Sequence, residues 1–159
     1  VDWRLIRGWR AGDEQLLPAL HQVFTWDGAG RATGWLWLPA GPPVTPWPAP
    51  FAGLGPRLLG GLETTLETRF AACCFQAYRD GAGCGWHADR DWGGQAILSL
   101  GVTRSLALRR NGSPLETHCR MAHGDLLFMP PGFQDEWEHC VPGEDVPGER
   151  CSLVFRTTT

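Results

Sequence analysis

The sequence lacks any long hydrophobic run. No stretch approaches the roughly 18 consecutive apolar residues that read as a membrane span, so no membrane role is expected. The opening residues, Val1-Asp2-Trp3-Arg4, lack the charged-then-apolar layout of a secretory leader. A soluble cytoplasmic protein is the expectation. No C-x-x-C pair is present, which removes the usual spacing of a structural zinc site. Internal repeats and coiled-coil heptads are also missing. A basic balance is lacking too: the formal net charge is -3, which excludes a histone-like, purely electrostatic nucleic-acid binder. A local basic face stays open, and Arg104 to Arg110, with Arg109-Arg110 adjacent, is the stretch to watch. It reads as a solvated strand end or as a phosphate contact.

The chain has 159 residues, which suits one domain with a core that needs no staples. Apolar residues make up 43% and charged residues 19%, a globular composition. The six cysteines include the awkward neighbours Cys73-Cys74 and read as buried free thiols. Asp13 to Leu20 begins a helix with an acidic first turn. A second helix is expected over Pro56 to Arg69, where Leu58, Leu59, Leu62, Leu66 and Phe70 recur near a period of 3.6. Between them lie Trp-rich, Gly-rich sequence (Trp26, Trp35, Trp37) and a proline cluster from Pro39 to Pro50, which excludes a helix or a central strand.

After Phe70 the pattern changes. Short apolar or alternating runs span Ala72 to Tyr78, Gln95 to Leu100, Ser105 to Arg109, Glu116 to Met121, Asp125 to Met129, Glu138 to Val141 and Cys151 to Arg156. Each is ended by turn residues, the signature of a sandwich or jelly roll. The expected fold is mainly β: N-terminal helices on an antiparallel double sheet, with 72–159 as the jelly-roll core.

The chemistry is concentrated in His87-Ala88-Asp89. On a strand, residues two apart point to one face, so an imidazole and a carboxylate can reach one metal. His139, in the later strand pattern Glu138-His139-Cys140-Val141, is the candidate third ligand. Two histidines and one carboxylate form the facial triad of non-haem Fe(II) oxygenases, which leaves positions open for dioxygen and a bidentate co-substrate. An H-x-D alone is a weak signal. It gains weight from Arg150 and Arg156, which an even spacing puts on one face of a strand. There an arginine can hold a dicarboxylate through a two-pronged ion pair. His118 and His123 are not needed as ligands, and His123-Gly124-Asp125 reads as a turn.

The ordered set of short motifs resembles the AlkB family of Fe(II)/2-oxoglutarate-dependent dioxygenases. These motifs are Phe75 to Gly81, Gly85 to Asp91, Ile97 to Gly101, His123 to Leu127 and Arg150 to Arg156. The likeness covers over half the chain, with a weaker extension through Pro46-Trp47-Pro48. It implies a double-stranded β-helix fold in one domain, with 1–71 carrying helices and a nucleotide-recognition lid. It implies Fe(II), 2-oxoglutarate and O2 as cofactors, with ascorbate as reductant in vitro, and alkylated DNA or RNA as partner of a monomer. By position, His87, Asp89 and His139 match the iron ligands. Arg156 matches the arginine on the distal carboxylate of 2-oxoglutarate, and Arg150 its companion near the metal-bound carboxylate. Tyr78 matches a tyrosine on the co-substrate. Gln76 and Ser152 stand where the family has asparagines, and both can still hydrogen-bond. Asp91 matches an acidic residue facing the base pocket, Trp35 or Trp37 the aromatic that stacks on the flipped base, and Arg110 a substrate-side arginine. The implied reaction is oxidative removal of N-alkyl groups, as from N1-methyladenine or N3-methylcytosine. It releases formaldehyde, succinate and CO2, and the base must be flipped out or single-stranded to react.

Three other readings remain. One is a 2-oxoglutarate hydroxylase or demethylase acting on a protein or lipid. Another is a catalytically silent binding module on the same scaffold. The third is a secreted sandwich held by disulfides, which needs paired cysteines.

Overall fold

Each apolar run after Phe70 forms a strand, and the strands pair antiparallel throughout. The structure, a computed structural model, describes residues 2–41 and 43–159. Val1 and Pro42, the latter within the proline cluster, lie outside the described residues. The strands are β1 Arg4–Ile6, β2 Arg31–Trp37, β3 Ala72–Arg79, β4 Cys84–His87, β5 Gln95–Gly101, β6 Arg104–Arg110, β7 Thr117–Met121, β8 Leu126–Met129, β9 Trp137–Val141 and β10 Glu149–Arg156. They form a six-stranded sheet, β1-β8-β5-β10-β3-β2, and a four-stranded sheet, β4-β9-β6-β7. The helices are α1 Leu16–His21, α2 Leu54–Leu66 and the single turn α3 Phe133–Glu136.

The side-chain alternation of the large sheet builds two separate layers. On β3 and β10, Cys73, Phe75, Ala77, Cys151, Leu153 and Phe155 face the helices and join the core with Leu58, Leu62 and Leu66 of α2. The alternate residues face the small sheet, where Cys74, Ile97 and Val154 pack on Leu106, Leu108, Met121 and Phe133. Leu62 is fully buried; burying such a side chain contributes about 2 kcal/mol, and Leu62→Ala would cost about 2–5 kcal/mol through the cavity it leaves.

Helix α2 ends before the expected Arg69. Glu67 turns left-handed (φ 51°), and Glu63 receives the freed donors: its carbonyl takes Thr68 N and its carboxylate Phe70 N. Phe70 lies beyond the helix but is buried in the helix-side core. The proline cluster carries one short helical turn after all, a 3-10 turn at Ala49–Phe51. Pro50 fits there because a first turn asks nothing of its missing N–H.

The first 71 residues are more than helices and a lid. They supply both edge strands of the large sheet: β1 pairs with β8, and β2 with β3. Strand β2 is irregular. Its register shifts between Trp35, opposite Cys74, and Trp37, opposite Cys73. Cys74 belongs to the inter-sheet face and Cys73 to the helix face. The shift turns Trp37 toward the helices, where it stacks parallel on Trp47 at 5.5 Å.

All six cysteines are free thiols, and all but half-buried Cys84 are buried. No helix among the described residues is long and apolar enough to cross a membrane.

His123-Gly124-Asp125 is a structural turn. Gly124 has φ 85°, and a Cβ there would lie 2.2 Å from Ala11 N. His123 Nδ1 accepts the Gly101 N–H at 3.0 Å, which commits that ring to a structural role.

Candidate metal centre

Strand β4 ends at His87, so Asp89 lies just past the strand rather than on it. The two do not share a strand face, as the H-x-D spacing suggested. Asp89 is instead aimed by side-chain bonds: Gln134 Oε1 accepts its backbone N–H at 2.6 Å, and Gln95 Nε2 donates to its Oδ2 at 2.6 Å. Both glutamines are buried. His139 comes from β9, where the register sets it opposite His87.

The three groups converge. One ligand atom from each of His87, Asp89 and His139 lies within 4.8 Å of the others. Asp89 Oδ2 is 3.8 Å from His87 Nε2 and 3.7 Å from His139 Nε2. His87 Nδ1 donates to the Gly85 carbonyl at 2.8 Å. That bond leaves the Nε2 lone pair for a metal, the usual orienting contact of a ligating histidine.

The electrostatics suit a cation. Burial, with the neighbouring His87, pulls His139 down to about 4, so it is a neutral ligand at physiological pH. Asp89 is held below the usual carboxylate range: burial opposes this, but the Gln95 hydrogen bond and the Arg156 charge outweigh it. His87 is pushed up to about 9, first by its contact with the Cys84 thiol and then by the Gly85 carbonyl and Asp89. Cys84 is brought down to about 7, because contacts with His87 and Tyr78 overcome its burial. A metal entering at neutral pH would therefore displace a proton from His87. Two imidazoles and a carboxylate with an open side fit Fe(II).

A cavity of about 400 Å³ opens from this triad between the sheets. Its walls include Gln76 and Tyr78 of β3, and Arg150, Ser152 and Arg156 of β10, which face the small sheet by strand alternation. The two arginines lie at opposite ends. Arg156 Nη1 is 3.7 Å from Asp89 Oδ1, at the triad. Arg150 Nε donates to Ser99 Oγ at 3.2 Å, and its guanidinium is 5.8 Å from the Tyr78 ring, at the far end. Six residue steps of strand separate them, roughly 20 Å along the backbone. The ends are thus the reverse of those expected from the motif. Spacing put both arginines on one face, but only the fold shows which end carries the metal. Tyr78 is the chain's single tyrosine, and burial, with Cys84, raises it well above the usual phenol range.

A second recess of about 440 Å³ meets the first at Gln76, Asp89 and Arg156. Trp35 and Asp91 line it, together with Trp92, whose ring centroid is 5.6 Å from that of Trp35. Trp37 lies among the helix-side aromatics. Arg110 is outside both cavities, paired with Glu136 at 3.3 Å and set over Trp137. The rest of its stretch is similarly engaged. Arg104 is buried and donates to the carbonyls of Ala82 and Pro142, while Arg109 pairs with Glu138 at 2.6 Å.

Several residues at the site went unread in the sequence: Gln95, Gln134, Ser99, Arg31, Cys84 and Trp92. A polar residue inside an apolar strand was the available signal for Ser99, whereas Gln95 stands at the start of that strand.

Residues 11–156 match the sequence profile described as the 2OG-Fe(II) oxygenase superfamily. An uncharacterized protein of Acanthamoeba polyphaga mimivirus is 26% identical over 116 residues, covering 69% of this chain and 61% of the viral protein. The chain therefore spans 61% of the length of that curated relative. Two solved structures share the fold. One is an oxidoreductase of the 2OG-Fe(II) oxygenase family from Burkholderia pseudomallei, with a TM-score of 0.69 and 16% identity, covering 97% of this chain and 82% of that one. The other is OsALKBH1, with a TM-score of 0.65 and 16% identity, covering 98% of this chain and 97% of that one. At such identity these likenesses speak for the fold alone.

Proposed function

The chain belongs to the 2OG-Fe(II) oxygenase superfamily, and from that premise we propose that it removes alkyl groups oxidatively from N-alkylated nucleobases in DNA or RNA. Fe(II) and 2-oxoglutarate are the superfamily's cofactor and co-substrate, and the triad His87, Asp89 and His139 is present to hold the metal. When bound, they supply dioxygen-driven hydroxylation of a carbon, with 2-oxoglutarate leaving as succinate and CO2. The protein's own groups do the placing. Gly85 fixes the His87 tautomer, and Gln95 and Gln134 hold Asp89. Arg150 and Tyr78 receive the far carboxylate of 2-oxoglutarate, Arg156 guards the metal end, and Gln76 and Ser152 line the wall between. Hydroxylation of a carbon on a ring nitrogen gives a hemiaminal that collapses to formaldehyde and the restored base.

The recess beside the metal ligand carries the nucleobase reading. It is walled by Trp35 and Trp92, carries Asp91 and shares Asp89 with the co-substrate cavity. An aromatic wall suits a flat ring, which stacks on it, better than a flexible aliphatic chain. Trp35 remains 39% exposed and can meet an incoming base. The AlkB-like order of motifs supports the same reading.

The test is turnover of Fe(II)-loaded protein with 2-oxoglutarate, ascorbate and air on oligonucleotides carrying one N1-methyladenine or N3-methylcytosine. DNA and RNA, single- and double-stranded, are compared. Loss of methyl mass in step with succinate is the expected result. Succinate with every oligonucleotide unchanged would move the substrate to a protein or lipid.

A further inference from the structure

We propose that Arg31 is the second jaw of a guanidinium clamp on the far carboxylate of 2-oxoglutarate, set across the tyrosine ring from Arg150. The inference rests on the co-substrate of the superfamily and not on the nucleobase reading.

The argument starts from register. Arg31 of β2 pairs with Tyr78 of β3, and Tyr78 pairs with Arg150 of β10. The three form one row across the sheet, and all three line the cavity that begins at the metal. The Arg31 guanidinium is 5.2 Å from the Tyr78 ring centroid and that of Arg150 is 5.8 Å from the same centroid. One neutral ring thus carries two cations.

Neither cation is neutralised. Among the described residues no carboxylate lies within 4.0 Å of the Arg31 guanidinium; Asp27, the nearest acid in sequence, accepts the Arg31 backbone N–H at 2.9 Å and does not pair with the side chain. Arg150 is buried, and the one protein acceptor it meets is the Ser99 hydroxyl. Among the described residues the single carboxylate lining the cavity is Asp89, at the opposite end, where it is shared between Gln95 and Arg156. Two guanidiniums around one ring repel each other unless an anion sits between them. Arg150 alone answers to a carboxylate with one fork of donors. Arg31 adds a second fork from the edge strand. It is half-buried where Arg150 is fully buried, so it can fold onto a ligand that Arg150 has already received. The predicted result is selection for 2-oxo acids that bear a second carboxylate.

The experiment uses the full chain loaded with Mn(II) as a non-turnover probe. Calorimetry measures binding of 2-oxoglutarate and of 2-oxopentanoate, which replaces the far carboxylate with a methyl group. Because Tyr78 is the only tyrosine, incorporation of 3-fluorotyrosine gives one fluorine resonance at the ring between the two arginines. Arg31→Gln is expected to weaken 2-oxoglutarate about tenfold, the loss of one charge-assisted hydrogen bond at a half-open site. Mn(II) binding and 2-oxopentanoate binding stay unchanged, the fluorine shift on adding 2-oxoglutarate shrinks, and Arg31→Lys recovers part of the affinity. An unchanged 2-oxoglutarate affinity in Arg31→Gln would overturn the clamp, with or without weaker oligonucleotide binding. So would an equal loss for both oxo acids, which marks a distorted cavity. If the wild-type protein with Mn(II) fails to bind 2-oxoglutarate, the co-substrate assignment itself falls and takes the clamp with it.

Discussion

Gln95 donates a 2.6 Å hydrogen bond to Asp89 Oδ2, the same oxygen that lies closest to both imidazoles of the triad. A carboxylate just past the end of a strand has no ladder to hold it, so this bond and the one from the Asp89 backbone to Gln134 fix its position. Gln95→Leu keeps the size and burial of the side chain and removes the donor. We expect metal affinity to fall about 10–100-fold, the usual cost of losing an orienting partner. Titration with Mn(II) measures it, and circular dichroism checks the fold. Unchanged affinity would mean that Gln134 and the loop alone position Asp89.

The two arginines of β10 should part company when removed singly. Arg150→Ala takes charge-assisted hydrogen bonds from the far end of the cavity and should weaken 2-oxoglutarate about 100-fold with Mn(II) affinity unchanged. Arg156→Ala also strips a cation from beside Asp89 and should alter metal binding and co-substrate binding together. Calorimetric titration of each ligand separates the two patterns. The opposite pairing would restore the ends that the motif alone suggests.

Much of this was legible because alternation and turn residues are local signals. Every run marked after Phe70 is a strand, and the parity of Arg150 and Arg156 holds along β10. What escaped depends on contacts between distant segments. The direction of the co-substrate cavity follows from which strand end abuts Asp89, which no spacing reports. Trp37 left the site through a register shift in β2, and parity counting assumes that none occurs. Strand β1 has three residues and pairs only at the sheet edge, too short for any period to appear. Gln95 looked like the polar end of an apolar strand, because its partner Asp89 lies in a loop.

Asp125 ties the amino-terminal segment to the turn before β8, and its protonation should loosen that tie. Its Oδ1 accepts the Gly8 N–H at 2.8 Å, and its Oδ2 the Ala122 N–H at 2.9 Å. Burial opposes ionisation, but these bonds and Arg7 outweigh it and hold the carboxyl below its usual range. A depressed folded-state pKa stabilises above the unfolded value near 3.9. That contribution is present at neutral pH and is lost as pH falls through the folded pKa. Asp125→Asn cannot copy it, because a carboxamide turns an NH2 toward one of the two N–H donors. We expect a loss of about 1–3 kcal/mol at pH 7, read by urea unfolding. The gap from wild type should close in strongly acidic buffer. A gap independent of pH would assign the loss to packing.

Trp35 and Trp37 stand two residues apart and should fail in different ways. Trp35 is partly exposed, lines the recess beside Asp89 and touches Trp92. Removing a stacking partner costs about 1–3 kcal/mol per base, so Trp35→Ala should raise the KM for a methylated oligonucleotide roughly 5–100-fold. It should leave thermal stability and 2-oxoglutarate affinity unaltered. Without a base seated beside the metal, succinate formation should also lose its coupling to demethylation. Trp37 stacks on Trp47, which in turn stacks on Phe51. Trp37→Ala should therefore destabilise the fold by about 3 kcal/mol, visible as a lower Tm, with KM unchanged in the fraction that remains folded. Measuring KM, the succinate-to-formaldehyde ratio and Tm on both variants decides the point. A raised KM in Trp37→Ala with a normal Tm would put the base on the helix side of β2 and remove the recess from the substrate path.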